Sequence, residues 1–163
     1  MEIHPPALVR LNIGAGNKRI KGWTSIDLAG DPDIKADIKS LPLPDGYADE
    51  AMAIHVLEHL YRWEVPATLK EWRRVLKPGG KLVLELPDLI KCCKNVLALL
   101  PDRMGMWGLY GDPGYEEPLM VHRWGWTAEE LSFALRVAGF TKIRVKDPVF
   151  HKHARDMRIE ARA

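Results

Sequence analysis

Leu11–Gly16, LNIGAG, runs a short apolar stretch straight into a glycine turn, and Asp27 closes the next apolar stretch, WTSID. Gly14 and Gly16 at the end of a buried strand permit positive φ and let the backbone approach a ligand that a β-carbon would hold off. In an open α/β sheet, ligands gather beyond the carboxyl ends of the strands, where the strand order reverses. A carboxylate at the end of the neighbouring strand then suits the 2′,3′-diol of a ribose, a task that falls to Asp27. Asp37, closing a third short stretch, is placed to meet an adenine edge together with the backbone of Ile38. The same pattern argues against a dinucleotide: GxGxxG needs Gly or Ala where Arg19 stands, and NKRIKG, Asn17–Gly22, leaves no room for a helix whose N-terminus would hold a pyrophosphate. No P-loop motif occurs either, so a nucleoside without phosphates is the ligand that fits.

Outward from this stretch, short apolar runs alternate with helical patterns, the signature of an α/β sheet. Strands are expected at Ala7–Ile13, Trp23–Asp27, Ile34–Asp37, Glu50–His55, Lys81–Leu86, Thr141–Asp147 and Asp156–Ala161. The spacing predicts a helix over Val65–Leu76, with Val65, Leu69, Trp72 and Leu76 on one face and Lys70, Glu71, Arg73 and Arg74 on the other. KPGG, Lys77–Gly80, stops it. A second helix starts at Thr127, where TAEE reads as a capping box with Glu130 reaching back; Leu131, Ala134, Leu135 and Ala138 line its inner face and Gly139 closes it.

The 163 residues, 47% of them hydrophobic, suffice for one domain spanning 1–163. Within it, 101–126 loses all periodicity and is rich in Gly, Pro, Trp and Tyr, as expected of a lid or acceptor-binding insertion. No apolar run is long enough to span a bilayer, and MEIHPPALVR lacks the apolar stretch of a signal peptide, so a soluble, cytoplasmic protein without membrane insertion is expected. Cys92 and Cys93 are adjacent, which strains a disulfide, and neither has a CxxC partner; they read as buried or half-buried thiols on a helix. A net charge of +2 gives no ground for a nucleic-acid partner, and the basic residues beyond Thr141 read as the solvated face of terminal strands. HKH at His151–His153 reads as an exposed loop, and no metal ligand set is expected.

LNIGAG, then GWTSIDL, then ADIKSLPLPDGYADEAMAIHVLEHL, then LKPGGKLVLELPD together resemble the class I S-adenosylmethionine-dependent methyltransferases over roughly Leu8–Asp88. The resemblance implies a Rossmann-like, seven-stranded mixed sheet with helices on both faces and the last strand antiparallel; here the first helix region is shortened. It implies S-adenosylmethionine as cofactor and S-adenosylhomocysteine as product. Gly14, Ala15 and Gly16 would form the cofactor's glycine turn, Asp27 would hold the ribose hydroxyls, Leu28 would lie against the adenine face, and Asp37 and Ile38 would bracket the adenine. His55 would border the methionine end, with Glu58 and His59 close by. Asn12 stands where many members carry an acidic residue; it still accepts a hydrogen bond toward the cofactor's amino group but brings no charge.

Methyl transfer from a sulfonium is an in-line displacement in which the protein positions the acceptor and, where needed, removes a proton. His55, His59 and His122 are the candidate catalytic residues, with Asp88 a further candidate base. VHRWGWT together with Trp107, Tyr110 and Tyr115 offers aromatic faces and Arg123 to an acceptor, and such faces tolerate a sulfonium. The Asp/Asn-Pro-Pro-aromatic signature of enzymes that methylate nucleobase amines is absent at AIHV. A small-molecule, sugar or lipid-linked glycan acceptor is expected; the alternative is a methyltransferase-like scaffold acting with a partner. The oligomeric state is left open.

Overall fold

The computed structural model describes residues 8–163. Its core is one seven-stranded sheet in the order β3-β2-β1-β4-β5-β7-β6. The strands are β1 (Arg10–Ile13), β2 (Thr24–Asp27), β3 (Ile34–Lys35), β4 (Ala48–Ile54), β5 (Leu76–Pro87), β6 (Thr141–Lys146) and β7 (Asp156–Arg162). β1 to β5 are parallel, and β7 enters antiparallel between β5 and β6. All seven expected strands are present; Ala7, where the first was expected to begin, lies outside the described residues.

The helices are α1 (Val65–Val75), α2 (Leu89–Leu97), α3 (Met106–Tyr110) and α4 (Ala128–Val137). α1 buries Val65, Thr68, Leu69, Trp72 and Val75, much the face its spacing predicts. Trp72 is fully buried, and its indole N–H donates to Ile38 O at 2.8 Å, which ties the chain after β3 to the helix. α4 starts as expected, Thr127 Oγ1 accepting from Glu130 N at 3.1 Å. The capping box is only half made: the Glu130 carboxylate turns outward to Arg62 Nε at 2.9 Å, a charged partner the backbone cannot match. α2 is capped by Asp88, whose Oδ1 accepts from Ile90 N and Lys91 N at 2.9 and 3.3 Å.

Side chains alternate across a strand, so register sorts the sheet into two faces. Leu11, Ala51, Leu82 and Ala161 stand in one row, and Ala53, Leu84 and Ile159 in another; all are buried and pack with α1 and α4 into the main apolar cluster. The opposite rows carry Arg10, Glu50 and Lys81, then Asn12, Met52, Val83 and Glu160. That face is laced with ion pairs: Arg10–Glu50 at 3.0 Å, Lys146–Glu160 at 2.7 Å, Arg158–Glu160 at 3.0 Å and Lys81–Glu160 at 3.2 Å. No helix lies between β1 and β2 or between β2 and β3, in keeping with the shortened first helix region.

Candidate active site

β1, β2 and β4 are parallel and end on one edge of the sheet, and β1 and β4 are the neighbours at which strand order turns back. Gly14 and Gly16 follow β1 with φ of +68° and +53°. The amides of Gly14 and Ala15 donate to Ile26 O at 2.8 and 3.2 Å, folding the turn across the end of β2. A β-carbon on Gly14 would lie 2.5 Å from Val56 Cγ2, whereas one on Gly16 would meet nothing, so the turn is closed on its inner side and open on its outer side.

Asp27 latches this turn. Its Oδ2 accepts from Gly16 N at 2.7 Å and its Oδ1 from Ala29 N at 2.9 Å, and each oxygen keeps a further lone pair for a hydroxyl donor. Leu28 beside it is 49% exposed, an apolar surface next to the carboxylate. Ala36 N donates to Asp27 O at 3.0 Å, which brings Asp37 to the same edge. Asp37 is half-buried and makes a local turn with Lys39 N at 2.9 Å, while Ile38 is fixed through its carbonyl by Trp72. Asn12 is buried, its Nδ2 3.5 Å from Lys18 O, under the loop that follows the glycine turn. A glycine turn with open space, a carboxylate and an exposed leucine at a strand-order reversal fit a nucleoside.

Beyond β4 lies a histidine cluster. His55 sits at φ +56°, a conformation uncommon for a side chain of its size and costing on the order of 1–3 kcal/mol where it is strained. Its Nδ1 is 2.9 Å from Glu58 Oε1, its Nε2 is 3.6 Å from Asp156 Oδ2, and its ring centroid is 4.1 Å from that of His151. Burial opposes a charge on His55, but Glu58 and Asp156 outweigh it and push the imidazole up to about 9. At neutral pH His55 is therefore a cation, able to donate a proton rather than to take one. Burial alone would raise Glu58; the His55 charge beside it, and His59 and His122 more weakly, hold it below the ordinary glutamate value. His122 is shifted down by burial, against the pull of Glu58, and its Nδ1 lies 2.9 Å from Gly108 O. The His59 and His122 rings meet edge to face at 4.8 Å.

Two of the expected contributors have other work. Asp88 is committed to capping α2. Trp126 is 3% exposed and part of the main apolar cluster, its carbonyl accepting from Leu89 N at 2.9 Å, so the far end of 101–126 is anchored in the core. The rest of that segment holds α3 and two single 3-10 turns, with Tyr110 and Tyr115 exposed. Arg123 clamps it to the turn after β4: its amide donates to Glu58 O at 2.7 Å and its Nη1 to His59 O at 2.8 Å. Asp156 and His151 join the cluster unannounced by the sequence, because β7 and the loop before it return to β5 from far along the chain.

The family model for a methyltransferase domain matches residues 12–84, from the glycine turn to β5. A methyltransferase structure from Methanosarcina mazei superposes with a TM-score of 0.67 over 94% of this chain and 91% of its own, at 23% identity. The fold and the matched segment are those of a class I S-adenosylmethionine-dependent methyltransferase. The 1,6-didemethyltoxoflavin-N1-methyltransferase of Burkholderia thailandensis, solved with S-adenosylhomocysteine bound, superposes at a TM-score of 0.65 over 94% of this chain and 70% of its own, with 17% identity. In sequence, a probable S-adenosylmethionine-dependent methyltransferase of Mycolicibacterium smegmatis is 31% identical over 71% of this chain and 37% of its own. The ubiquinone/menaquinone biosynthesis C-methyltransferase UbiE of Caulobacter vibrioides is 39% identical over 36% of this chain and 23% of its own. The chain thus spans well under half the length of the curated relatives it matches. No helix among the described residues is long and apolar enough to cross a membrane.

Proposed function

We propose that the chain binds S-adenosylmethionine at Gly14–Gly16, Asp27 and Asp37 and transfers its methyl group to a small-molecule, sugar or lipid-linked acceptor. The observation that carries this reading is the Asp27 carboxylate, held at the end of β2, beside the strand-order reversal, by Gly16 N at 2.7 Å. That bond orients the carboxylate toward the open side of the glycine turn, where a ribose diol finds two acceptors. Leu28 covers one face of a purine and Asp37 with the Ile38 backbone reads its edge, while Ala15 completes the turn between Gly14 and Gly16 and Asn12 offers an acceptor toward the cofactor's amino group. When bound, the cofactor supplies an electrophilic methyl on a sulfonium.

What remains for the protein is placement. His55, a cation between two carboxylates, borders the reaction edge without removing a proton. Where an acceptor must lose a proton, His59 and His122 are the candidate imidazoles, and burial shifts His122 below the ordinary imidazole value. The segment 101–126 supplies Trp107, Tyr110 and Tyr115 as acceptor-facing surfaces. The test is calorimetric titration with S-adenosylhomocysteine, of the chain and of Asp27→Asn. Binding by the chain and its weakening by about 1–3 kcal/mol in the variant supports the reading; equal affinity in both removes the ribose assignment, and no binding by folded chain removes the cofactor.

A further inference from the structure

We propose that Glu58, His59 and His122 form a binding site for one divalent transition-metal ion of the zinc type, set beside the methyl-transfer edge. One potential ligand atom from each of the three lies within 4.8 Å of those of the other two. Glu58 is 2% exposed, yet neither of its carboxylate oxygens has a hydrogen bond; the 2.9 Å approach of His55 Nδ1 to Oε1 is out of line for one. The His55 charge faces Oε1 only; Oε2 has no partner, and a metal ion on that side would complete the pairing of this buried carboxylate.

The histidines are set for the same task. A carbonyl oxygen only accepts, so His122 Nδ1, 2.9 Å from Gly108 O, carries the proton and Nε2 carries the lone pair. His59 Nδ1 approaches Val121 O at 3.4 Å, which favours the same tautomer. Imidazoles oriented through their second nitrogen by a main-chain carbonyl are the usual form of a metal-ligating histidine. The backbone around the ligands is pinned as well, Arg123 holding the carbonyls of Glu58 and His59.

A second grouping, His55, His151 and Asp156, is equally compact and leaves His55 Nε2 and His151 Nδ1 without hydrogen bonds, but its carboxylate is already paired. The Arg155 guanidinium meets both Asp156 oxygens, at 2.7 and 3.0 Å, and Lys152 N donates to the same carboxylate at 3.1 Å. Two imidazoles and one carboxylate suit Zn²⁺ or Fe²⁺ far better than Mg²⁺, and three protein ligands leave a position open. What that position would do rests on the methyltransferase reading: the ion would polarise an acceptor oxygen so that its proton passes to solvent. His59 and His122, their lone pairs on the ion, would then act as ligands and not as bases.

The experiment is titration of chelator-treated, dialysed chain with Zn²⁺ against a chromophoric competitor, with Mg²⁺ as the comparison cation. One Zn²⁺ per chain is expected, weakened by roughly tenfold or more in His122→Ala and in His59→Gln, and unchanged in His151→Ala. Far-ultraviolet circular dichroism checks that each variant is folded. Should either fail to fold, Co²⁺ added to the unaltered chain must give the visible bands of nitrogen and oxygen ligation. The proposal is overturned by absence of Zn²⁺ binding, by equal affinity in folded His122→Ala, by loss confined to His151→Ala, or by absent Co²⁺ bands. S-adenosylhomocysteine titrated in parallel separates the two readings. Zn²⁺ binding without it refutes the methyltransferase reading alone, and its binding without Zn²⁺ refutes the metal site alone.

Discussion

At the scale of single residues, the glycine turn couples fold and binding through Gly14. Its φ of +68° and the 2.5 Å separation of an added β-carbon from Val56 Cγ2 make alanine doubly unwelcome there. Gly14→Ala should lower stability by on the order of 1–3 kcal/mol, read as a lower urea midpoint, and should weaken S-adenosylhomocysteine binding because the turn moves off Ile26. Unchanged binding in the variant would show that the turn does not touch the ligand. The turn's glycines and Asp27 were legible because backbone freedom and a carboxylate at fixed strand ends leave a sequence signature. Asp156 and His151 were not, since nothing in DPVFHKHARD tells that this loop folds back to place them against His55.

At the scale of elements, α2 sorts its two cysteines by side. Cys92 is buried and burial pushes its thiol up to about 12, while Cys93 on the next position is exposed. A disulfide-exchange reagent should therefore titrate one thiol per native chain at pH 8 and both after unfolding; two fast thiols would mean that α2 is not docked. α4 offers a second measurement. Thr127→Ala removes the cap on Glu130 N and should cost about 1 kcal/mol, and Arg62→Met, which releases an ion pair with Glu130 and a guanidinium 5.3 Å over the Trp124 ring, should cost about as much. The helices α1 and α4 could be read from spacing because each buries one stripe. α3 and the turns around it could not, because they bury little and are held by bonds such as His122 N to Tyr110 O and Asn95 Nδ2 to Met104 O.

At the scale of the whole molecule, the sheet is asymmetric, one face packed by α1 and α4 and the other held by charge. Glu160 is the centre of the second face, with Lys81, Lys146 and Arg158 around it. Burial works to raise its carboxyl, but the three cations overcome that and hold it at about 2, below the usual 4.5. A depressed folded-state value means the pairing stabilises the fold fully above pH 4.5 or so, and the contribution is lost as pH falls toward 2. Glu160→Gln removes the carboxylate at every pH and leaves three cations facing one another. Urea midpoints of the two proteins should therefore differ most at pH 6 to 7 and converge as pH approaches 2. A gap that persists at pH 2 would mean that the glutamine disturbs packing against Val83 and Arg144 rather than charge, since those are its neighbours across β5 and β6.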